Sequence, residues 1–107
     1  MNETALVRRI LNHYDKHPRI FLWRQNTGMA VMHGRPVFFG LPGQADISGV
    51  WRISLGSGPG RALFIECKSL RGTQSADQLR FEASVTRLGA IYILARSLAD
   101  VTTVLGD

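Results

Sequence analysis

The residues of this chain that could do chemistry are concentrated in two short segments, Gln44-Ala45-Asp46-Ile47 and Ile65-Glu66-Cys67-Lys68. The apolar run Ala62 to Ile65 leads into Glu66 and predicts a buried central strand. Side chains alternate along a strand, so Glu66 and Lys68 share one face while Cys67 points the other way, into the core as a small hydrophobe. If Asp46 lies on a neighbouring strand at the same end, two carboxylates converge, and at about 4 Å they repel by roughly 4 kcal/mol at an effective dielectric of 20. Such a pair calls for a cation, and an all-oxygen ligand set suits Mg²⁺ or Mn²⁺. The ion would lower the pKa of a bound water and stabilise a phosphorane-like transition state. Lys68 would orient or help deprotonate that water, or neutralise charge building on a phosphate. A plainer reading makes Glu66 and Lys68 an exposed ion pair on an edge strand, contributing at most ~1 kcal/mol, with Asp46 a turn residue. The two readings part on burial, because an ion pair in a central strand is expensive without a function.

Other reactive residues carry less. His13 and His17, four apart on the first helix, have the spacing of a metal pair, but no third ligand is apparent and a solvated helix face is much the commoner reason for such a pair. His33 falls in a turn, and no Ser or Cys sits in a nucleophile motif. The glycine-rich stretch Gly56 to Gly60 lacks the Gly-Lys-Ser/Thr ending of a phosphate loop and reads as a mobile hairpin loop. Trp23, Trp51 and the pair Phe38-Phe39 have the chemistry to stack bases, with core packing as the commoner role.

The elements that must position these groups fit in one domain, since 107 residues cannot supply two cores. Hydrophobic residues at 45% and charged residues at 20% exclude a disordered or low-complexity chain. The longest uncharged apolar run, Ala90 to Ala95, falls far short of the roughly 20 residues that span a bilayer. Arg8 and Arg9 are followed by no apolar block, so neither membrane insertion nor secretion is expected. Cys67 is the only cysteine, which excludes a disulfide scaffold and fits a reducing, cytoplasmic compartment. Thirteen basic against eight acidic residues give a net charge of +5, and 11 of the 13 are arginine. That balance points first to nucleic acid, although an acidic protein partner or a need for solubility would favour it too.

Asn2 is a helix cap, and Leu6, Val7, Ile10, Leu11 and Tyr14 fall on one helical face until Pro18 ends the run. Ile20 to Gln25 reads as a strand closed by the turn Asn26-Thr27-Gly28. Met29 to Met32 and Val37 to Phe39 flank His33-Gly34-Arg35-Pro36 and form a hairpin. Ala45 to Ile53 and Ala62 to Lys68 are paired strands. Ser75 caps a helix with Leu79, Phe81, Val85 and Leu88 as its apolar positions, stopped by Gly89. Ala90 to Ala95 fits a strand buried on both faces, and Leu98, Val101, Val104 and Leu105 a closing helix. The fold class is α/β, a single domain over residues 1–107 with a central mixed sheet flanked by helices.

With these elements in place, the chain resembles the PD-(D/E)XK nucleases, specifically their virus-type replication-repair (VRR-NUC) branch. The residues that carry the likeness are Glu3, Gly43-Gln44-Ala45-Asp46, Glu66-Cys67-Lys68 and Gln78. More specific still are Trp23-Arg24-Gln25-Asn26-Thr27-Gly28, Gly40-x-Pro42-Gly43-x-x-Asp46 and Gly72-x-x-Ser75-x-x-Gln78-x-x-Phe81. Ala45 stands where the family name has proline, a position that varies. The resemblance implies a restriction-endonuclease-like sandwich with an αβββαβ core. It implies Asp46 and Glu66 as Mg²⁺ or Mn²⁺ ligands, the Cys67 carbonyl as a further ligand, Lys68 as the catalytic lysine, Glu3 as an outer ligand or water holder and Gln78 as the group that positions Lys68 or a phosphate. For Glu3 a favourable charge at a helix N-terminus, and for Gln78 an exposed polar position, are the plain alternatives.

The resemblance further implies a metal-dependent endonuclease, like the phage-type Holliday-junction resolvases among short stand-alone members, acting on branched DNA; for a phage-encoded chain the compartment is the host cytoplasm. Arg24, Asn26 and Arg71, in or beside the motifs, are the candidate nucleic-acid contacts. A non-catalytic nucleic-acid-binding module and a flap or restriction-like nuclease are the alternatives, and intact Asp46, Glu66 and Lys68 argue against the first. Paired cuts on a four-way junction require a C2 homodimer. The apolar hairpin Met29 to Phe39 is its expected interface, unless the hairpin packs on its own first helix.

Overall fold

A computed structural model describes residues 2–26, 28–54, 56 and 58–107. Helix α1 spans Glu3–His13, with the Asn2 side chain accepting from the Ala5 N–H at 2.7 Å. Strand β1 (Ile20–Arg24) follows, then β2 (Gly28–Met32), β3 (Arg35–Phe39), β4 (Ile47–Trp51) and β5 (Arg61–Cys67). Helix α2 (Ala76–Arg87), β6 (Ile91–Ala95) and α3 (Leu98–Leu105) complete the chain.

Four strands form a mixed sheet in the order β1-β4-β5-β6, and β2 with β3 forms a separate two-stranded ribbon. The β1-β4 and β4-β5 pairs are antiparallel. The β5-β6 pair is parallel, and α2 supplies the crossover that parallel strands need. Leaving out the ribbon and the closing α3, the element order is α1, β1, β4, β5, α2, β6, which is the expected αβββαβ succession. Leu63, Ile65 and Cys67 alternate onto one face, where they pack with Leu6, Val7 and Ile10 of α1 and with Val101 and Leu105 of α3. Phe64 and Glu66 alternate onto the other face. There Phe81 of α2 meets Phe64 edge-on at 5.2 Å and Tyr92 at 6.4 Å.

Several boundaries depart from expectation for physical reasons. Helix α1 ends at His13 instead of continuing to Pro18: Tyr14 is its C-cap, buried, with its hydroxyl donating to the Gly106 carbonyl at 2.6 Å. Lys16 then takes a left-handed φ of 59°. His17 consequently lies outside the helix, its Nδ1 accepting from the Arg19 N–H, so His13 and His17 do not share a helical face. Strand β4 starts at Ile47, because Ala45 and Asp46 leave the ladder. Strand β6 is an edge strand and only half-buried along part of its length, not enclosed on both faces. Leu79 and Leu88 are exposed, so the apolar side of α2 is narrower than its sequence period suggests.

The ribbon turns through His33 and Gly34, at φ 53° and 75°, the two positive φ values of a tight hairpin turn. Every residue of β2 and β3 is exposed. Helix α1 packs instead on β1, β5 and α3. Thr27 of the Asn26-Thr27-Gly28 turn, and Leu55 and Ser57 around the expected hairpin loop at Gly56 to Gly60, lie outside the described residues. Among the described residues no helix is long and apolar enough to cross a membrane.

Candidate active site

Register brings the two carboxylates together. Ile47 pairs with Ile65 in an antiparallel ladder, so extending it by one residue sets Asp46 opposite Glu66. Asp46 is held on both sides: its carbonyl accepts from the Gln25 N–H at 2.7 Å and its Oδ2 from the Cys67 N–H at 2.8 Å. The departure of β4 from the ladder thus frees a strand N–H that the Asp46 carboxylate takes up.

Glu66 is 2% exposed, on a strand paired on both sides. The exposed-edge reading of Glu66 and Lys68 therefore fails. Glu66 Oε2 lies 3.8 Å from Lys68 Nζ and accepts from Gln78 Nε2 at 3.1 Å. Burial first, and then the charge of Asp46, pushes the Glu66 carboxyl from 4.5 up to about 8, with Lys68 opposing the shift. Cys67 is fully buried on the opposite face, and burial, followed by Asp46 and Glu66, pushes its thiol up to about 12. It is inert as a nucleophile at neutral pH.

Gln78 is the third residue of α2 and a member of a capping box. Ser75 Oγ accepts from the Gln78 N–H, and Gln78 Oε1 accepts from the Ser75 N–H at 2.9 Å. The amide group is thereby fixed at its oxygen while its nitrogen reaches Glu66. Gly43 sets the distance between the two halves of the site. It has φ 79°, and a Cβ there would collide with the Asp77 carbonyl and come within 2.7 Å of the Gln78 nitrogen. Only glycine allows the loop that carries Asp46 to lie this close to the first turn of α2. Ala45, in the variable position of the motif, is fully buried.

Glu3 reaches the same end of the sheet but is occupied differently, its Oε2 accepting from the Ser69 N–H at 3.3 Å. Among the described residues no group of three or more His, Cys, Asp or Glu side chains is gathered to hold one ion. The pair that could hold one is Asp46 and Glu66. Both offer hard oxygens, and the charge of Glu66 is disfavoured by burial and by Asp46, a penalty a divalent cation would offset. This donor set fits Mg²⁺ or Mn²⁺ with few protein side chains, as Mg²⁺ commonly takes.

The candidate nucleic-acid contacts are spread around this end. Arg24 and Asn26 flank Gln25, the residue bonded to Asp46, and both are exposed. Alternation along β1 gives Arg24 the parity of Ile20 and Leu22, on the α1 side of the sheet, whereas Gln25 and Trp23 share the carboxylate side. Arg71 is exposed in the loop beyond Lys68.

Sequence reasoning missed Arg96, whose Nη1 donates to the Ser69 and Gly72 carbonyls at 2.6 and 2.8 Å and so holds the loop after Lys68. Its only signal is its place directly after β6, at the strand end where the Lys68 N–H meets the Ala95 carbonyl. Gln74, which donates to Glu82 and to the Tyr92 hydroxyl, was missed too and had no local signal. Set against models of known protein families, curated proteins and solved structures, the chain matches none of them.

Proposed function

We propose that residues 1–107 form one restriction-endonuclease-like domain of the VRR-NUC type, and that it is a Mg²⁺- or Mn²⁺-dependent DNA endonuclease. The observation that carries this reading is a buried Glu66 that feels the charge of Asp46 and is contacted by both Lys68 and Gln78. A cluster of this cost in a central strand calls for a function, and two carboxylates with a lysine suit hydrolysis of a phosphodiester.

Asp46 and Glu66 would hold the ion, with the Cys67 carbonyl as a further ligand and Glu3 at the outer edge. When bound, the ion supplies positive charge that makes water more acidic and offsets charge on the phosphate. Lys68 orients the attacking water or neutralises the developing charge on the phosphate. The water oxygen attacks phosphorus in line with the 3′ oxygen, which leaves with the bonding pair and takes up a proton. Gln78 acts through Glu66 and is a positioning residue. Branched DNA is the preferred substrate, and a homodimer joined through the exposed β2-β3 ribbon would supply paired cuts.

The test is a cleavage panel of four-way junction, flap, single strand and duplex DNA with Mg²⁺ or Mn²⁺. Metal-dependent cutting strongest on the junction supports the reading. Binding without cutting on every substrate would leave a non-catalytic nucleic-acid module instead.

A further inference from the structure

Helix α2 covers the β5-β6 half of its sheet face; on the β1-β4 half Ser48 is covered, and the side chains around it stand open. On that open strip Phe21 is 70%, Trp23 40% and Val50 46% exposed. The Phe21 and Trp23 rings lie 5.6 Å apart at 43°, forming one continuous aromatic surface. Parity continues the row in both directions. Toward the start of β1 it reaches Arg19, paired with Arg52 through the Arg52 N–H to Arg19 carbonyl bond. Toward the other end it reaches Gln25, bonded to Asp46. Arg19, Phe21, Val50 and Arg52 together with His17 line a cleft of about 310 Å³ with no carboxylate among the described residues of its wall. This cleft is at the far end of β1 from the carboxylates, about 20 Å away at ~3.4 Å per residue.

We infer that this strip is a track for one unpaired DNA strand, running from the Arg19-Arg52 cleft across Phe21 and Trp23 to Asp46 and Glu66. The inference rests on the nuclease reading for what happens at its end and names the contact more closely: a strand left unpaired at the branch point of the DNA. Exposed aromatic rings bind bases through their π faces, which are free only where the bases are unstacked from a duplex. The arginines at one end complement phosphate, and the strip is two strands wide, about 5 Å between strands, which suits a single chain.

The test is fluorescence anisotropy with a labelled single-stranded oligonucleotide and a duplex of the same sequence, in EDTA so that nothing is cut. Trp23→Ala is expected to weaken single-strand binding about tenfold, the size of one lost stacking contact, and duplex binding less than twofold. Trp23→Phe should restore most of the loss, and Arg52→Ala should lower the log–log salt slope for single strands by about 0.7. Equal losses on single strand and duplex, or no loss on either, would overturn the track. Single-strand binding that depends on Trp23 in a protein that cuts nothing would keep the track and remove the nuclease. Cutting with Trp23-independent binding would do the reverse.

Discussion

Gln78 grips Glu66 through its amide nitrogen at 3.1 Å while its amide oxygen closes the N-terminal cap of α2 on Ser75. One side chain therefore ties the start of a helix to a buried carboxylate of the central strand. Gln78→Ala should lose both contacts. The cap accounts for about 1 kcal/mol, and with a domain of this size the melting temperature should fall by roughly 4–8 °C. The lost hydrogen bond to the Glu66 carboxyl should lower kcat about tenfold or more with KM little changed. A variant that melts early yet cuts at the wild-type rate would restrict Gln78 to capping.

Gly43 is the second tie between the halves of the site. Gly43→Ala combines a left-handed φ with a collision against the Asp77 carbonyl, so denaturant unfolding should show a loss of about 1–3 kcal/mol. An unchanged midpoint would mean that the Asp46 loop does not seat on α2.

Stability of the metal-free protein should depend on pH through Glu66. Its carboxyl rises from 4.5 to about 8, chiefly because it is buried and secondarily because Asp46 is beside it. Between those values the folded state holds the proton that the unfolded chain releases. Stability from this group is therefore complete below 4.5, falls as pH rises and is lost above about 8. The denaturation midpoint should decline across this window, and Glu66→Gln should flatten the decline. A wild-type midpoint that rises with pH there would contradict the burial of Glu66.

How much of the molecule is legible in its sequence differs by element. The strand containing Glu66 and the Ser75 cap are set by local patterns and lie where these place them, whereas the turn expected over His33 to Pro36 closes at His33-Gly34, with Arg35 and Pro36 already paired in β3. The early end of α1 is not legible, because the chain leaves the helix through a left-handed Lys16, a residue type that gives no local signal for that conformation. The retreat of Asp46 from β4 is hidden too, since it reflects a bond to Cys67 on another strand. In the motif Gly72-x-x-Ser75-x-x-Gln78-x-x-Phe81, each residue has a physical task. Gly72 packs on Ser69 and Lys68, Ser75 and Gln78 cap, and Phe81 meets Phe64. Which side of the sheet Arg24 occupies follows only from the register with Ile47.

The exposed ribbon carries its own prediction. Phe38 is 77% exposed, and its neighbours on β2 and β3 are uncovered apolar side chains. If the ribbon joins two copies, sedimentation at micromolar concentration should show a dimer. Phe38→Asp should dissociate it and suppress paired junction cuts more than nicking of duplex. A dimer unaffected by Phe38→Asp would place the interface elsewhere.

Arg96 holds the loop that follows Lys68, so Arg96→Ala should speed amide hydrogen exchange over residues 69–72 while leaving the exchange of β5 unchanged. Uniform faster exchange across the domain would show a general loss of stability instead.

The central claim is that Asp46 and Glu66 act together on a phosphodiester, and single-turnover cleavage of a labelled four-way junction tests it most directly. Wild-type protein should cut with Mg²⁺ or Mn²⁺ and stop in EDTA, and Asp46→Asn, Glu66→Gln and Lys68→Ala should each lose at least a hundredfold in rate while remaining folded. Undiminished cutting in EDTA, or wild-type rates in all three variants, would contradict the account.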